Sequence, residues 1–172
     1  MICYRPGKRE DLDTVCAMVE AAKARMCAQG IEQWDDVYPA REDFERDVDR
    51  HELYIVSEDD RLMAVYVVSE ECEEAYRTCA WEYENACVIH RLCVSPERQN
   101  EGIGKRVLDR IEEQLLEMGY DSVRLDVCSR NPYALRLYEN NGYIRRGQAD
   151  WRKGRFYLME KILSGKPGNA ER

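Results

Sequence analysis

The stretch that most constrains the fold of this chain runs from Cys87 to Val107 and reads CVIHRLCVSPERQNEGIGKRV. It starts as an apolar, strand-like run, breaks at Ser95-Pro96, and passes through a polar loop into a helical pattern opened by Gly102-Ile103-Gly104. The first N–H groups of a helix lack intrahelical partners and carry the positive end of the helix dipole. Glycine lets the backbone approach a phosphate closely. We therefore expect this loop to hold a pyrophosphate.

The helix after this loop is strongly amphipathic and leads into a second apolar strand. Its predicted apolar stripe, which Leu108 widens, consists of Ile103, Val107, Ile111 and Leu115. Gly119 ends the helix, and residues 122–128 form the next strand. A strand, a helix and a strand form a β-α-β unit, so the two strands should be parallel neighbours. Asn131-Pro132 then opens a short helix, because Asn is a good N-cap and Pro fits the first turn.

The remaining segments alternate between helical and strand patterns without a repeat or a linker. They predict a strand over 2–5, helices over 11–29 and 41–50, a hairpin of strands over 53–57 and 62–69, and two last strands over 143–145 and 155–162 around a turn at 151–154. We predict a single domain over residues 1–163 and a flexible tail over 164–172.

Charge and cysteine usage exclude several classes of protein. The net charge of −8 disfavours nucleic-acid binding, which needs a basic surface. No apolar run approaches the roughly 20 residues that span a bilayer, and the N-terminus becomes polar too soon for a signal peptide. The eight cysteines form no CxxC pair and only two histidines accompany them, so we expect no metal site and reduced thiols. A cytoplasmic protein without a membrane partner is predicted.

Two segments carry aromatic side chains outside the predicted strands and helices. Residues 30–39 (GIEQWDDVYP) form a loop whose Trp34 and Tyr38 are either a hydrophobic plug or an aromatic wall of a substrate pocket. Residues 70–85 are acidic and irregular. Their charges are either simply solvated or line a site that attracts a cationic amine.

The loop motif becomes specific only together with a second motif. The chain has neither GxGxxG nor GxxxxGK[ST], so dinucleotide and P-loop sites lack their signatures. Residues 99–104 fit (R/Q)-x-x-G-x-(G/A) instead, and NPYALRLYENNGY follows one β-α-β unit later. With these motifs the chain resembles the GNAT superfamily of N-acetyltransferases from the first strand to Ile162. The loop over 30–39 also resembles one found in a bacterial subset of that superfamily.

The resemblance implies an α/β (α+β) fold with a mixed, mostly antiparallel central sheet. One parallel pair of strands splays at a β-bulge, and helices flank both faces. It also implies acetyl-CoA as co-substrate and no metal. The pantetheine arm would pair with the backbone of Leu92, Cys93 and Val94. The pyrophosphate would be held by the N–H groups of Gln99, Asn100, Glu101, Gly102, Ile103, Gly104 and Lys105.

Two residues of the loop motif depart from the pattern of the family. Asn100 stands where the family commonly has glycine, and Glu101 where it has a basic or amide residue. We expect Glu101 to point to solvent, because otherwise it would repel the phosphates. Asn131 is predicted to cap its helix, and the resemblance places its side chain near the pantetheine arm.

The resemblance makes Tyr138 the acid that protonates the leaving thiolate. A phenol with a pKa of about 10 can do so because a thiol has one of about 8.5. The alternative is a core aromatic. The amine must lose a proton, and His90 is the first candidate base, with a histidine satisfied by backbone as its alternative. Further candidates, in decreasing order, are Glu82 and Glu84 together, and then Asp126.

The leading hypothesis is an acetyl-CoA-dependent N-acetyltransferase in which a primary amine of a small molecule or protein attacks the thioester directly. An acyl-cysteine route is disfavoured, because the candidate cysteines have no adjacent base. The alternatives are an inactive acyl-CoA-binding regulatory module and a nucleotide-binding module. A homodimer is left open. The acceptor site, which we expect to favour a cationic amine, would be lined by Trp34, Tyr38, Trp81 and Glu84.

Overall fold

The helices and strands follow the sequence prediction closely in a computed structural model, which describes residues 1–163. In chain order they are β1 (Ile2–Pro6), α1 (Leu12–Ala28), α2 (Arg41–Asp49), β2 (Leu53–Glu58), β3 (Arg61–Ser69), α3 (Glu74–Arg77), β4 (Ala86–Val94), α4 (Ile103–Glu117), β5 (Ser122–Cys128), α5 (Pro132–Asn140), β6 (Ile144–Trp151) and β7 (Gly154–Ile162). The predicted tail over 164–172 lies outside the described residues.

The strands form one sheet in the order β1-β2-β3-β4-β5-β7-β6. Strands β4 and β5 pair in parallel, with Ala86 opposite Ser122 and Val88 opposite Arg124. The ladders of β1 with β2, β2 with β3, β5 with β7 and β6 with β7 are antiparallel. This confirms the predicted mixed, mostly antiparallel sheet with one parallel pair and flanking helices. Arg91 has a left-handed φ of 48°, so β4 is irregular where the resemblance implies a β-bulge.

Contacts divide the chain into two compact units, of which the first comprises Met1–Ser69 and Ile89–Val107. In this unit the apolar faces of α1 and α2 pack on β2, β3 and the end of β4. The core consists of Leu12, Val15, Met18, Val19, Ala22, Phe44, Val48, Leu53, Ile55, Val65, Val67 and Cys93. Helix α1 follows Asp11, whose carboxylate accepts hydrogen bonds of 2.8 and 2.7 Å from Arg5. The predicted single domain therefore stays a prediction.

The second unit comprises Glu70–Val88 and Leu108–Arg172. Its described part differs from the prediction in two places. The acidic segment contains the one-turn helix α3, which buries Tyr76. Strand β6 runs to Trp151 rather than ending at residue 145, because it pairs with β7 along its length although RRGQAD has no alternating pattern. Backbone pairing can thus extend a strand beyond what side chains indicate.

Two expected absences concern membranes and metals. Within residues 1–163, no helix combines the length and apolarity needed to cross a bilayer. The same residues contain no group of three or more His, Cys, Asp or Glu side chains that could hold a metal ion. All eight cysteines are free thiols. The cytoplasmic location and the lack of a metal stay predictions.

Candidate active site

The loop between β4 and α4, residues 95–102, is termed the phosphate loop and belongs to the first unit. The N–H of Ser95 donates to the carbonyl of Met63 at 2.7 Å, which fixes the start of the loop. Asn100 and Gly102 have left-handed φ values of 66° and 74°. Asn tolerates this conformation better than other residues with a side chain, so it can replace the expected glycine. Left-handed residues before a helix N-terminus form a concavity of N–H groups that suits an anion.

One of the two acidic residues of the phosphate loop, Glu101, has its charge paired. Arg98 donates from Nε to Glu101 at 2.7 Å and from Nη2 to Glu58 at 2.8 Å. The Glu101 side chain is 48% exposed. Lys105 and Arg106 in the first turn of α4 are exposed and basic. Glu101 thus forms an ion pair with Arg98, and the two basic residues of α4 supply positive charge beside the loop.

Residues 30–39, termed the acceptor loop, also belong to the first unit. Trp34 packs against the core of that unit, which fits the hydrophobic-plug interpretation for this residue. Tyr38 is 37% exposed, and its hydroxyl accepts a hydrogen bond of 2.8 Å from Nη1 of Arg91. The carboxylate of Asp35 accepts hydrogen bonds from the N–H groups of Val37 and Tyr38 at 3.0 and 3.1 Å. The loop is therefore ordered, with Tyr38 at its surface.

Arg91 itself is held by a buried ion pair. Its Nε and Nη2 donate to the two carboxylate oxygens of Asp47 at 2.8 and 2.5 Å. The side chains of Arg91 and Asp47 are 13% and 4% exposed. Burial opposes the charge of Arg91, but the hydrogen bonds and charges of Asp47 and Tyr38 raise its pKa above the ordinary value. A planar, bidentate pair of this kind holds the guanidinium in one orientation.

The other predicted residues of β4 are buried or partly buried. His90 is partly buried in the first unit. Cys93 is buried, and burial raises the pKa of its thiol to about 12. Cys93 is therefore protonated at neutral pH and a poor nucleophile, which favours direct attack by the amine over an acyl-cysteine.

Three titratable side chains of the second unit have raised pKa values. The hydroxyl of Tyr76 donates to Oδ2 of Asp126 at 2.6 Å. Burial raises the pKa of Asp126 from its ordinary 3.8 to about 6, although the hydrogen bond from Tyr76 opposes the shift. Tyr138 is buried, and burial, followed by the charge of Asp126, raises its pKa as well. Asp126 can thus act as a base near neutral pH, while Tyr138 stays protonated and able to donate.

Tyr138 is positioned by the short helix α5. The side chain of Asn131 caps this helix by accepting a hydrogen bond from the N–H of Ala134 at 3.1 Å, which confirms the predicted N-cap. The Tyr138 ring meets the ring of Tyr143 edge to face, with centroids 5.6 Å apart. In the part of the chain that the structure describes, the hydroxyl of Tyr138 makes no hydrogen bond, whereas that of Tyr143 donates to Glu112 at 3.1 Å.

A buried carboxylate orders the end of the acidic segment. Glu160 on β7 has a fully buried side chain and accepts hydrogen bonds from the N–H groups of Glu82 and Tyr83 at 2.9 and 3.2 Å. Arg146 balances its charge from 3.1 Å. The side chains of Glu82 and Glu84 are exposed. Glu160 therefore holds the backbone of this segment and leaves its acidic side chains in solvent.

Trp81 is fixed by contacts on both sides. Its indole N–H donates to the carbonyl of Tyr76 at 2.6 Å. The guanidinium of Arg124 lies 4.5 Å from the centroid of its ring. These contacts are enough to explain Trp81 as a structural residue of the second unit, and its role in acceptor binding stays a prediction.

The predicted site residues fall into both units. The first unit contains His90, Leu92, Cys93, Val94, Trp34, Tyr38 and the stretch from Gln99 to Lys105; the second contains Trp81, Glu84, Asn131 and Tyr138. The sequence reasoning missed Arg91, Asp47, Tyr76 and Glu160. For Arg91 and Glu160 the available signal was a charged residue inside an otherwise apolar strand, whereas Asp47 and Tyr76 had no such signal.

Comparisons with known proteins indicate one family. The model of the acetyltransferase (GNAT) family matches residues 18–143. A curated relative, S-(2-succino)cysteine N-acetyltransferase of Bacillus subtilis (strain 168), is 31% identical over 72 residues, which are 41% of this chain and 44% of that enzyme. The match thus spans less than half of that relative.

Solved structures share the fold. An acetyltransferase of the GNAT family from Streptococcus agalactiae 2603 superposes with a TM-score of 0.83 at 23% identity and covers 94% of this chain and 95% of its own. The PaiA N-acetyltransferase of Thermoplasma acidophilum, solved in complex with coenzyme A, has a TM-score of 0.71 at 21% identity. It covers 94% of this chain and 99% of its own.

Proposed function

Because this chain belongs to the acetyltransferase (GNAT) family, we propose that it transfers an acetyl group from acetyl-CoA to a primary amine of a small molecule or a protein. The observation that carries this proposal is the phosphate loop, whose left-handed Asn100 and Gly102 precede the N-terminus of α4. The second unit adds groups for proton transfer, namely the Tyr76–Asp126 hydrogen bond and the buried Tyr138, which an inactive cofactor-binding module does not need. We further propose a single acetyltransferase domain over 1–163 in a cytoplasmic protein, with a homodimer left open.

Acetyl-CoA supplies an activated acetyl thioester. Asp126 accepts one proton from the ammonium group, so that the neutral nitrogen forms the new C–N bond as the C–S bond breaks. Tyr138 donates its phenolic proton to the leaving sulfur, which becomes basic as the C–S bond breaks. It then regains a proton from the nitrogen of the new amide, and Asp126 releases its proton to solvent. Asp126 is thereby placed ahead of His90, which the sequence made the first candidate base, and His90 is kept as the second candidate.

The phosphate loop fits the pyrophosphate of the co-substrate. Its two left-handed residues precede the N-terminus of α4, and nothing lies within 4 Å of the position that a Cβ on Gly102 would take. A phosphate can thus approach the backbone there. We propose that the N–H groups from Gln99 to Lys105 hold it, that β4 from Leu92 to Val94 pairs with the pantetheine arm, and that Asn131 lies near that arm.

Acetyl-CoA should raise the melting temperature of the protein. A ligand present at 100 times its Kd stabilises the folded state by about 2.7 kcal/mol, which for a chain of this size corresponds to a rise of roughly 5–10 °C. Thermal unfolding with and without millimolar acetyl-CoA measures the shift. ADP and NAD are the comparison ligands, and a larger shift with either of them would favour a nucleotide-binding module.

Gly102→Ala should weaken the binding of acetyl-CoA. An alanine at a φ of 74° costs about 1–2 kcal/mol and tends to shift the backbone that faces the phosphates. The matched control is Gly119→Ala, since Gly119 also has a positive φ, of 92°, and open space around the missing Cβ, but lies at the end of α4. Both variants should lose similar stability. Only Gly102→Ala should lose the rise in melting temperature that acetyl-CoA causes. Equal shifts in both would contradict the role of the phosphate loop.

Release of CoA in the presence of an amine panel tests the reaction itself. The panel contains spermidine, a neutral peptide N-terminus and S-(2-succino)cysteine, the acceptor in the name of the curated relative. We propose that the acceptor is cationic, because the acidic side chains around Trp81 are exposed, and that Trp34, Tyr38, Trp81 and Glu84 contact it. A preference for the anionic amine would contradict this choice. Binding of acetyl-CoA without any turnover would support the inactive module.

A further inference from the structure

We propose that Tyr38 and Arg91 form a link that holds the acceptor loop on β4 and thereby sets the affinity of the enzyme for its amine. The proposal rests on the proposed function. It concerns the first unit alone, in which Arg91 directly precedes the strand residues assigned to acetyl-CoA. Arg91 is a positioning residue that acts through Tyr38, the proposed acceptor contact, and neither is assigned to proton transfer.

The first step is that Arg91 offers Tyr38 a nitrogen in a fixed direction. Two of its three nitrogens, Nε and Nη2, are taken by Asp47, which is buried on α2. A guanidinium is planar, so binding these two nitrogens also determines where Nη1 points. That nitrogen donates to the hydroxyl of Tyr38 at 2.8 Å. The loop therefore contacts a charged group that is itself held by the core.

The second step is that the loop is held at its far end too. The ammonium group of Lys23 on α1 donates to the carbonyl of Pro39 at 2.7 Å in a buried hydrogen bond. Asp35 binds the two N–H groups that precede this point, those of Val37 and Tyr38. The backbone over 35–39 is thus fixed at several points, while the side chains of Val37 and Tyr38 remain 70% and 37% exposed.

The third step connects the link to binding. Exposed apolar and aromatic side chains on an ordered loop lose little freedom when a ligand packs on them. Loss of the hydrogen bond from Arg91 would remove one restraint on the Tyr38 side chain, so binding of the amine would have to restrict it further. The cost would fall on acceptor affinity and not on the chemical step or on acetyl-CoA.

Tyr38→Phe is the sharpest test, because it removes only the hydroxyl and keeps the exposed ring. We expect the KM for the fastest amine of the panel to rise about tenfold, since a hydrogen bond to a charged group is lost. The kcat value should change less than twofold, and the acetyl-CoA melting shift should be unchanged. Amide hydrogen exchange over residues 30–39 should become faster in the free protein.

Tyr120→Phe is the matched control. It also removes a hydroxyl that bonds a charged side chain, Glu70 at 2.8 Å, but outside the acceptor loop. It should leave both the KM and the exchange of residues 30–39 as in the wild type. Arg91→Lys keeps the positive charge but lacks the planar guanidinium that bonds Asp47 and Tyr38 together, so it should raise the KM similarly. In the double variant, Tyr38→Phe should raise the KM little further.

An unchanged KM in Tyr38→Phe overturns the proposal, whether or not the loop exchanges faster. Fully additive effects of Tyr38→Phe and Arg91→Lys overturn it as well. If the wild type acetylates no amine of the panel, the proposed function fails, and amide hydrogen exchange alone tests the link between Tyr38 and Arg91. In that case wild-type exchange in Tyr38→Phe overturns the link, and faster exchange confined to residues 30–39 supports it.

Discussion

Tyr138→Phe should lower kcat by about 10²–10⁴-fold, the usual contribution of a general acid. The phenylalanine ring preserves the packing against Tyr143, so the loss would come from the missing proton and not from a disturbed core. The raised pKa of Tyr138 keeps that proton on the phenol throughout the neutral range. The measurement is the rate of CoA release at saturating amine and acetyl-CoA, together with the melting shift caused by acetyl-CoA, which should persist.

Tyr143→Phe is the control for this experiment. It removes a neighbouring buried hydroxyl, which donates to Glu112, and should therefore lower stability with a far smaller effect on kcat. A Tyr138→Phe enzyme that keeps kcat within about threefold of the wild type would rule out general-acid catalysis by this residue. Tyr138 would then be a core aromatic, the alternative that the sequence left open.

Asp126→Asn should lower kcat/KM by about 10²–10⁴-fold and abolish the acid limb of the pH profile. A base works only when it is ionised. With a pKa of about 6 for Asp126, wild-type activity should fall tenfold per pH unit below pH 6 and level off above it. His90→Ala gives the same comparison for the other candidate base. If His90→Ala loses the acid limb while Asp126→Asn keeps it, His90 is the general base and Asp126 is not.

The same carboxylate should make the protein less stable as the pH rises. Its pKa is about 6 in the folded protein and near the ordinary 3.8 when unfolded, so the folded state binds more protons between these values. The free energy of unfolding then falls as the pH increases from about 4 to 6, by at most roughly 3 kcal/mol. Asp126→Asn removes this pH dependence. The stability of the variant relative to the wild type should therefore be higher at pH 8 than at pH 4. Equal effects at both pH values would argue against a raised pKa.

Most of the elements that carry the site could be predicted from local patterns. Ser95-Pro96 and Gly102 interrupt the apolar run where β4 ends and α4 begins. The stripe from Ile103 to Leu115 is buried as its helical spacing indicates. Asn131 caps α5 as its residue type predicts. These signals are short-range, because capping, turns and amphipathic periodicity are decided within a few residues.

The contacts that organise the candidate site could not be predicted in this way. Asp47 and Arg91 are 44 positions apart, Tyr76 and Asp126 are 50 apart, and Glu82 and Glu160 are 78 apart. No periodicity relates such residues, and a buried charge reads like a surface charge until its partner is known. Aromatic residues in loops were ambiguous for the same reason. Trp34 packs on the core, whereas Tyr38 lies at the surface.

The hydrogen bonds that Glu160 accepts from the N–H groups of Glu82 and Tyr83 bear on how this protein could evolve. Every residue except proline has the N–H group that Glu160 binds, so substitutions at these positions leave both hydrogen bonds in place. The exposed side chains can therefore drift by single mutations, each starting from an intact scaffold. Successive variants could therefore acquire new acceptors while each of them still folds. The buried carboxylate of Glu160 would preserve the backbone of the segment in which the substitutions occur.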